Sequence, residues 1–146
     1  MSVIASFCGP NCDAPLFIHV FGATLLFGSL LAVTTVAYAS LRIVAHGPML
    51  RRVAFTVMFA GVWPSYIVMR IGAQWVLSHE GLDKNTPNWV GVGFIVSDVG
   101  ILILLILTLL GWLGLRRPRV GPWFAGLAAL YLVALGVAVF AMSAKP

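Results

Sequence analysis

The stretch RIGAQWVLSHEGLDKNTPNWVGVGFIVSD, residues 70–98, begins and ends with a charged residue set inside an apolar run. Arg70 belongs to a run that ends near residue 77, and Asp98 belongs to one that begins near residue 89. A polar segment separates the two runs. We therefore interpret the stretch as two neighbouring membrane helices joined by a short loop, with Arg70 and Asp98 facing each other.

The composition indicates an integral membrane protein. Of the 146 residues, 61% are hydrophobic and 9% are charged, whereas soluble domains carry about 25% charged residues. A chain this short cannot bury that much apolar surface in a core. The surplus apolar surface is therefore expected to face lipid. The basic residues lie in short loops between apolar runs, which favours a topological role over nucleic-acid binding. We predict a single transmembrane domain over residues 1–146.

Four apolar runs are each long enough to cross a membrane as a helix. The predicted spans cover residues 15–41, 53–77, 89–115 and 123–142. Gly47 and Pro48 are expected to stop the first helix, and Pro64 is expected to kink the second. Because short loops join sequential spans, the sequence predicts an all-α, up-down-up-down four-helix transmembrane bundle.

Small residues within the spans are expected to let the helices approach closely. They are Gly22, Gly28 and Ala32 in the first span, Gly91, Gly93 and Gly100 in the third, and Ala125, Ala129 and Gly136 in the fourth.

The distribution of charge predicts the orientation of the bundle. The loops after the first and third spans hold six arginines and no acidic residue; these are Arg42, Arg51, Arg52, Arg116, Arg117 and Arg119. Asp13, Glu80 and Asp83 lie on the other side. An excess of arginine marks cytoplasmic loops, so both termini are predicted to be on the outer side.

Arg70 and Asp98 are the candidate site. At 1.5 Å per residue they lie about 10 and 13 Å inside the predicted outer ends of their spans. A charge in a membrane span costs about 2.5–3.5 kcal/mol or more unless it finds a partner. Gln74 shares a helix face with Arg70, and His19 lies near the outer end of the first span. Three interpretations are open: a register-fixing ion pair with an interfacial histidine; an outward polar pocket in which Arg70 holds an anion, a quinone carbonyl or a haem propionate; or no contact between the charges at all.

Cys8 and Cys12 precede the first span and suggest a second kind of site. Outside the cytoplasm they can form a disulfide; they can also stay free, act as a redox pair, or bind a soft metal such as copper or zinc. His19 and His79 lie on the same side and are the candidate additional metal ligands. The same two histidines are the candidate ligands for haem.

Residues 17–30, FIHVFGATLLFGSL, resemble the opening helix of small bacterial four-helix membrane proteins, which are distantly similar to the copper-resistance D membrane domain. His19, Gly22 and Gly28 carry this resemblance. The segment MRIGAQW, residues 69–75, together with Ser97 and Asp98, is similar to a narrower bacterial group. The resemblance implies a bacterial inner membrane and adds copper to the expected cofactors.

The overall plan also resembles that of thiol:quinone oxidoreductases of the disulfide-forming type, which are four-helix bundles with cysteines on the outer side. Such enzymes need a relay of two cysteine pairs, and this chain has only Cys8 and Cys12. We therefore expect no autonomous catalysis. The favoured function is an accessory subunit or small-ligand binder, in contact with lipid and with other membrane subunits or a second copy. The alternative is a membrane redox or metal-handling protein that uses copper, haem or quinone.

Overall fold

A computed structural model of the chain describes residues 13–79 and 88–143. This part of the chain is all-helical, and four of its helices are long and apolar enough to cross a membrane. Three are continuous α-helices: α1 spans Ala14–Arg42, α3 spans Asn88–Arg116 and α4 spans Gly121–Ser143. Helix α2 has three parts, which are α-helical Gly47–Val57, π-helical Met58–Val62 and α-helical Trp63–His79.

The helices extend one or two residues beyond the predicted spans, except at the start of α2, which begins six residues earlier. Gly47 and Pro48 do not stop the first helix; they lie in the first turn of α2. Helix α1 ends earlier, at Arg42, because the next residue leaves the helical conformation. Proline suits a first helical turn, since the N–H groups there have no acceptor within the helix. The short 3₁₀ turn Val44–His46 joins the two helices.

The π-helical part of α2 lies directly before Pro64. A proline ring clashes with the carbonyl four residues earlier, and proline has no N–H to donate. A π segment widens the helix by one residue, which relieves such a clash. Within it the Trp63 N–H donates to the Met58 carbonyl, and the Ser65 hydroxyl donates to the Gly61 carbonyl at 2.7 Å. The predicted irregularity at Pro64 is therefore a π segment in this structure.

The core runs along the middle of the bundle. Helix α1 packs against both α2 and α4, and α3 packs against α4. The fully buried side chains are large and almost all apolar; they include Leu26, Leu30, Val33, Met58, Val62, Leu104, Leu107 and Tyr131. One end of each of the four helices lines a common pocket beside the arginine-rich connections, and we call this the arginine end.

Helices α1 and α2 approach most closely at two glycines. A Cβ added at Gly22 would lie 2.7 Å from the Met69 Cα, and one at Gly72 would lie 2.6 Å from the His19 Cα. Gly28 has no atom within 4 Å of such a Cβ, and Ala32 is exposed. The prediction of close packing is therefore confirmed at Gly22 and wrong for the other two small residues of α1, which lie on the opposite, lipid-exposed side.

Candidate functional site

Three polar side chains of α2 each donate a hydrogen bond to α3. Trp63 Nε1 donates to Thr108 Oγ1 at 2.9 Å, the Tyr66 hydroxyl donates to the Ser97 carbonyl at 2.9 Å, and Arg70 Nη2 donates to Asp98 Oδ1 at 2.5 Å. We call these six residues the polar seam. The donors share one helix face because they are spaced by three and four residues. The backbones of α3 and of the Trp63–His79 part of α2 approach at few points, so the side chains themselves bridge the two helices.

The Arg70–Asp98 ion pair ends the polar seam. The predicted contact between the two residues is present in the structure. The guanidinium also lies over the Phe94 ring, 4.8 Å from the ring centroid, which adds a cation–π contact. Nine residues separate Arg70 from His79, which places it about 14 Å from the helix end, deeper than the sequence predicts. The charge pair therefore lies within the helices, on the side of a hydrocarbon layer about 30 Å thick that is opposite the arginine end.

The ion pair is open to its surroundings on one side. The Asp98 side chain is 61% exposed and the Arg70 side chain is 32% exposed. Arg70 Nη1, in contrast, is buried and has no hydrogen-bond partner among the described residues. The open side of the pair is thus formed by Asp98, while Nη1 of the guanidinium is covered by the chain itself.

His19 and Gln74 do not join the ion pair. His19 Nδ1 lies 3.1 Å from the Met69 carbonyl oxygen, and because a carbonyl can only accept, Nδ1 must carry the proton. Gln74 is exposed, and its side chain makes no hydrogen bond or ion pair within the described part of the chain. Of the four predicted binding residues, the structure brings Arg70 and Asp98 together and holds His19 against the backbone beside them.

The residues proposed for metal or disulfide chemistry fall mostly outside the described part of the chain. Cys8 and Cys12 lie there, and so does the His79 side chain. Among the side chains that are described, no three His, Cys, Asp or Glu residues cluster as metal ligands. His19 is the one member of that predicted set whose surroundings are visible.

Sequence analysis missed a group of buried hydroxyls beside the seam. Tyr131 is fully buried, and its hydroxyl fits against Gly100, where an added Cβ would overlap it. The Tyr131 hydroxyl and Ser97 Oγ are both buried without a hydrogen-bond partner among the described residues. The three- and four-residue spacing of Trp63, Tyr66 and Arg70 was the signal in the sequence that could have located the seam.

A pocket among the described residues lies far from Arg70. It opens at the arginine end and is lined by Arg51, which lies 19 residues before Arg70 on α2 and hence about 28 Å away. Arg70 and Asp98 themselves form a partly exposed pair. No family model, curated protein or solved structure matches the chain.

Proposed function

We propose that the chain is a multi-pass protein of the bacterial inner membrane, folded as an up-down-up-down bundle with both termini on the outer side. The opposite directions of α1 and α2 are supported by their contacts, since Gly22 lies against Met69 while the earlier His19 lies against the later Gly72. The arginine end supports the orientation because basic loops stay in the cytoplasm. The bacterial inner membrane follows from the resemblance carried by residues 17–30.

In that membrane the chain acts as a non-catalytic accessory subunit or small-ligand binder, and its contact surface includes Arg70 and Asp98. The observation that carries this proposal is the 61% exposure of Asp98, about 15 Å from the start of α3. If the bundle were alone in a bilayer, this carboxylate would meet hydrocarbon. Charged groups at such depth face protein or a water-filled cavity, so a partner subunit or a polar ligand is expected to cover the pair.

The open side of Asp98 indicates what the covering group offers. A carboxylate only accepts hydrogen bonds, so an N–H or O–H donor of the covering group would suit it. Arg70 Nη1 is covered by the chain's own atoms, and an outside oxygen would reach it only after the Arg70 side chain moved. The complement is therefore a surface that presents hydrogen-bond donors, such as a polar face of another transmembrane helix.

Photocrosslinking tests this contact surface in native membranes. Ile95 is 66% exposed and lies one turn before Asp98 on α3, whereas Val137 is 58% exposed on α4. A photoreactive amino acid in place of Ile95 should give a discrete adduct, either with a protein or with a small molecule that native mass spectrometry detects. The adduct should disappear when Arg70→Gln is added. The same probe in place of Val137 is the matched control and should give an adduct that Arg70→Gln does not change.

A charge exchange separates this function from a purely structural ion pair. Asp98→Asn leaves Arg70 without its carboxylate and should lower resistance to unfolding, and the double variant Arg70→Asp/Asp98→Arg should restore most of it. The adduct at Ile95 should not return in the double variant, because the donors and acceptors of the surface are reversed. If the adduct returned along with stability, or never formed in the wild type, the pair would serve only to fix helix register.

His19 supports a second candidate, a membrane redox or metal-handling protein. Histidines that bind metals usually donate their other ring N–H to a carbonyl or carboxylate. His19 has that arrangement, because Nδ1–H donates to the Met69 carbonyl at 3.1 Å and Nε2 is left for a ligand. Cys8, Cys12 and His79 are the proposed additional ligands. Metal and pigment analysis of the natively purified protein should then reveal copper, haem or quinone, and His19→Ala should remove it; loss in Gln74→Ala as well would argue against a role specific to His19.

A further inference from the structure

All four helices meet around a pocket at the arginine end. The pocket is a partly open depression: its empty space of about 270 Å³ includes the open mouth, and its enclosed part has room for about one water molecule. Each helix contributes to its lining, with Ser40 from α1, Arg51 from α2, Gly114 from α3 and Gly121 from α4. Arg51 is the one charged residue in that lining. The other lining side chains are apolar or small, so the guanidinium defines the chemistry of the pocket.

Arg51 has no anionic partner within the described part of the chain. Its Nε atom is buried and makes no hydrogen bond there. The two acidic residues described are occupied elsewhere, since Asp98 pairs with Arg70 and Asp13 caps α1 by accepting from the Leu16 N–H. Glu80 and Asp83 fall in the sequence between the end of α2 that is far from Arg51 and the start of α3. The described part of the chain therefore offers Arg51 no anion, and a bound anion would be its partner.

We propose that this pocket binds a phosphate group and that Arg51 is the residue that contacts it. A guanidinium presents its N–H donors in a fork that matches two phosphate oxygens. Gly121 lines the pocket at the N-terminus of the 23-residue helix α4, where the helix dipole and unpaired N–H groups favour an anion. Five further arginines lie near the same ends of the helices but do not line the pocket; they are Arg42, Arg52, Arg116, Arg117 and Arg119.

The position of the pocket suits the headgroup layer of a membrane. Arg51 lies four residues after the start of α2, about 6 Å along the helix, and Gly114 lies two residues before the end of α3. Phosphates of phospholipids occupy this depth next to the hydrocarbon layer. A phosphorylated solute that enters from the water is the other source of the same group.

Binding to the purified full-length protein in detergent tests the proposal and separates the two sources. The probes are phosphatidylglycerol, diacylglycerol with the same acyl chains and no phosphate, and inorganic phosphate. Native mass spectrometry and ligand-induced shifts of the melting temperature measure binding. Phosphatidylglycerol but not diacylglycerol should bind if a lipid supplies the phosphate; inorganic phosphate should bind and compete if a solute does. Failure of both phosphate probes to bind would overturn the proposal.

Two pairs of variants identify the pocket as the place of binding. Arg51→Gln should weaken phosphate binding by about tenfold or more, whereas Arg52→Gln, at the exposed neighbour, should change it less than twofold. An equal loss in both variants would mean attraction to a basic surface and would contradict a site at Arg51.

A variant that fills the pocket tests phosphate binding independently of Arg51→Gln. It remains informative if Arg51→Gln fails to fold. A Cβ at Gly114 meets no atom within 4 Å, so Gly114→Leu should occupy the empty space and block the phosphate. Gly126 on α4 is equally open but does not line the pocket, so Gly126→Leu should bind phosphate as the wild type does. Unchanged binding in Gly114→Leu would also refute the proposal.

Discussion

Gly22→Ala is the sharpest test of the packing between α1 and α2. A Cβ at this position would lie 2.7 Å from the Met69 Cα and closer still to the Met69 nitrogen. Ordinary contacts of this kind begin near 3.4 Å, so the nearer contact, with the Met69 nitrogen, would require the two helices to separate locally by about 1 Å. Both obstructing atoms belong to the backbone. No side chain can therefore rotate away to make room.

The expected decrease in the free energy of unfolding follows from that separation of the two helices. A gap of about 0.5–1 Å forfeits a quarter to a half of the dispersion energy of each contact that it opens. Overpacking of this kind typically costs about 1–3 kcal/mol, and the backbone clash argues for the upper end. Replacing glycine by alanine in a helix returns up to about 1 kcal/mol of intrinsic propensity. We therefore expect Gly22→Ala to lower the free energy of unfolding by about 2 kcal/mol.

Gly28→Ala provides the matched control on the same helix. A Cβ there meets no atom within 4 Å, so only the gain in helix propensity applies. Titration with sodium dodecyl sulfate in mixed micelles, followed by tryptophan fluorescence, measures the free energy of unfolding of both variants. We expect Gly28→Ala to equal or exceed the wild type while Gly22→Ala unfolds at clearly lower detergent fraction. Equal stability of the two variants would refute the close approach at Gly22.

The same titration tests the polar seam. Tyr66→Phe removes a hydrogen bond to the Ser97 carbonyl and should cost about 1 kcal/mol, whereas Tyr131→Phe removes a hydroxyl with no described partner and should leave stability unchanged or raised. Trp63→Phe and Thr108→Val should show a coupling of about 0.6 kcal/mol in a double-mutant cycle, as interhelical hydrogen bonds in membranes do. Equal effects of the two tyrosine variants, or a coupling near zero, would contradict the corresponding contact.

The number and extent of the helices could be predicted from the sequence because lipid imposes a strong constraint. Each crossing segment must satisfy its own backbone hydrogen bonds and must be apolar over about 20 residues. Both requirements can be recognised in a linear sequence. The error at Gly47 and Pro48 has a local cause, since the same two residues can end one helix or begin the next.

Helix faces were much harder to predict than helix boundaries. In a soluble helix, polar residues mark the outer face. In this bundle the exposed side is as apolar as the core, with Leu102 and Leu105 exposed and Leu104 fully buried. Gly22 and Gly28 therefore look alike in the sequence, although one lies at a helix crossing and the other faces outward.

The ion pair could be predicted from the sequence, whereas the buried hydroxyls could not. The two kinds of group differ in how strongly they need a partner on another helix. A charge within a span is costly, so Arg70 required a partner, and Asp98 lay at a similar depth on the next helix. A hydroxyl can satisfy itself locally; Thr34 Oγ1 donates to the carbonyl four residues earlier at 2.8 Å. Its presence therefore predicts no contact between helices, and Tyr131 gave no sign of its buried position.

Arg51 and Arg70 each have a buried nitrogen without a described hydrogen-bond partner. The two residues differ in which groups can neutralise the guanidinium charge. Arg70 has a carboxylate within the chain, and only its second donor, Nη1, remains unpaired. Arg51 has no acidic residue near it in the described part of the chain. If external groups cover both sites as proposed, their loss would leave the Arg70–Asp98 pair neutral, whereas the six arginines of the arginine end would repel one another without compensation. On these proposals the surroundings contribute stability at the arginine end and specificity of contact at Arg70.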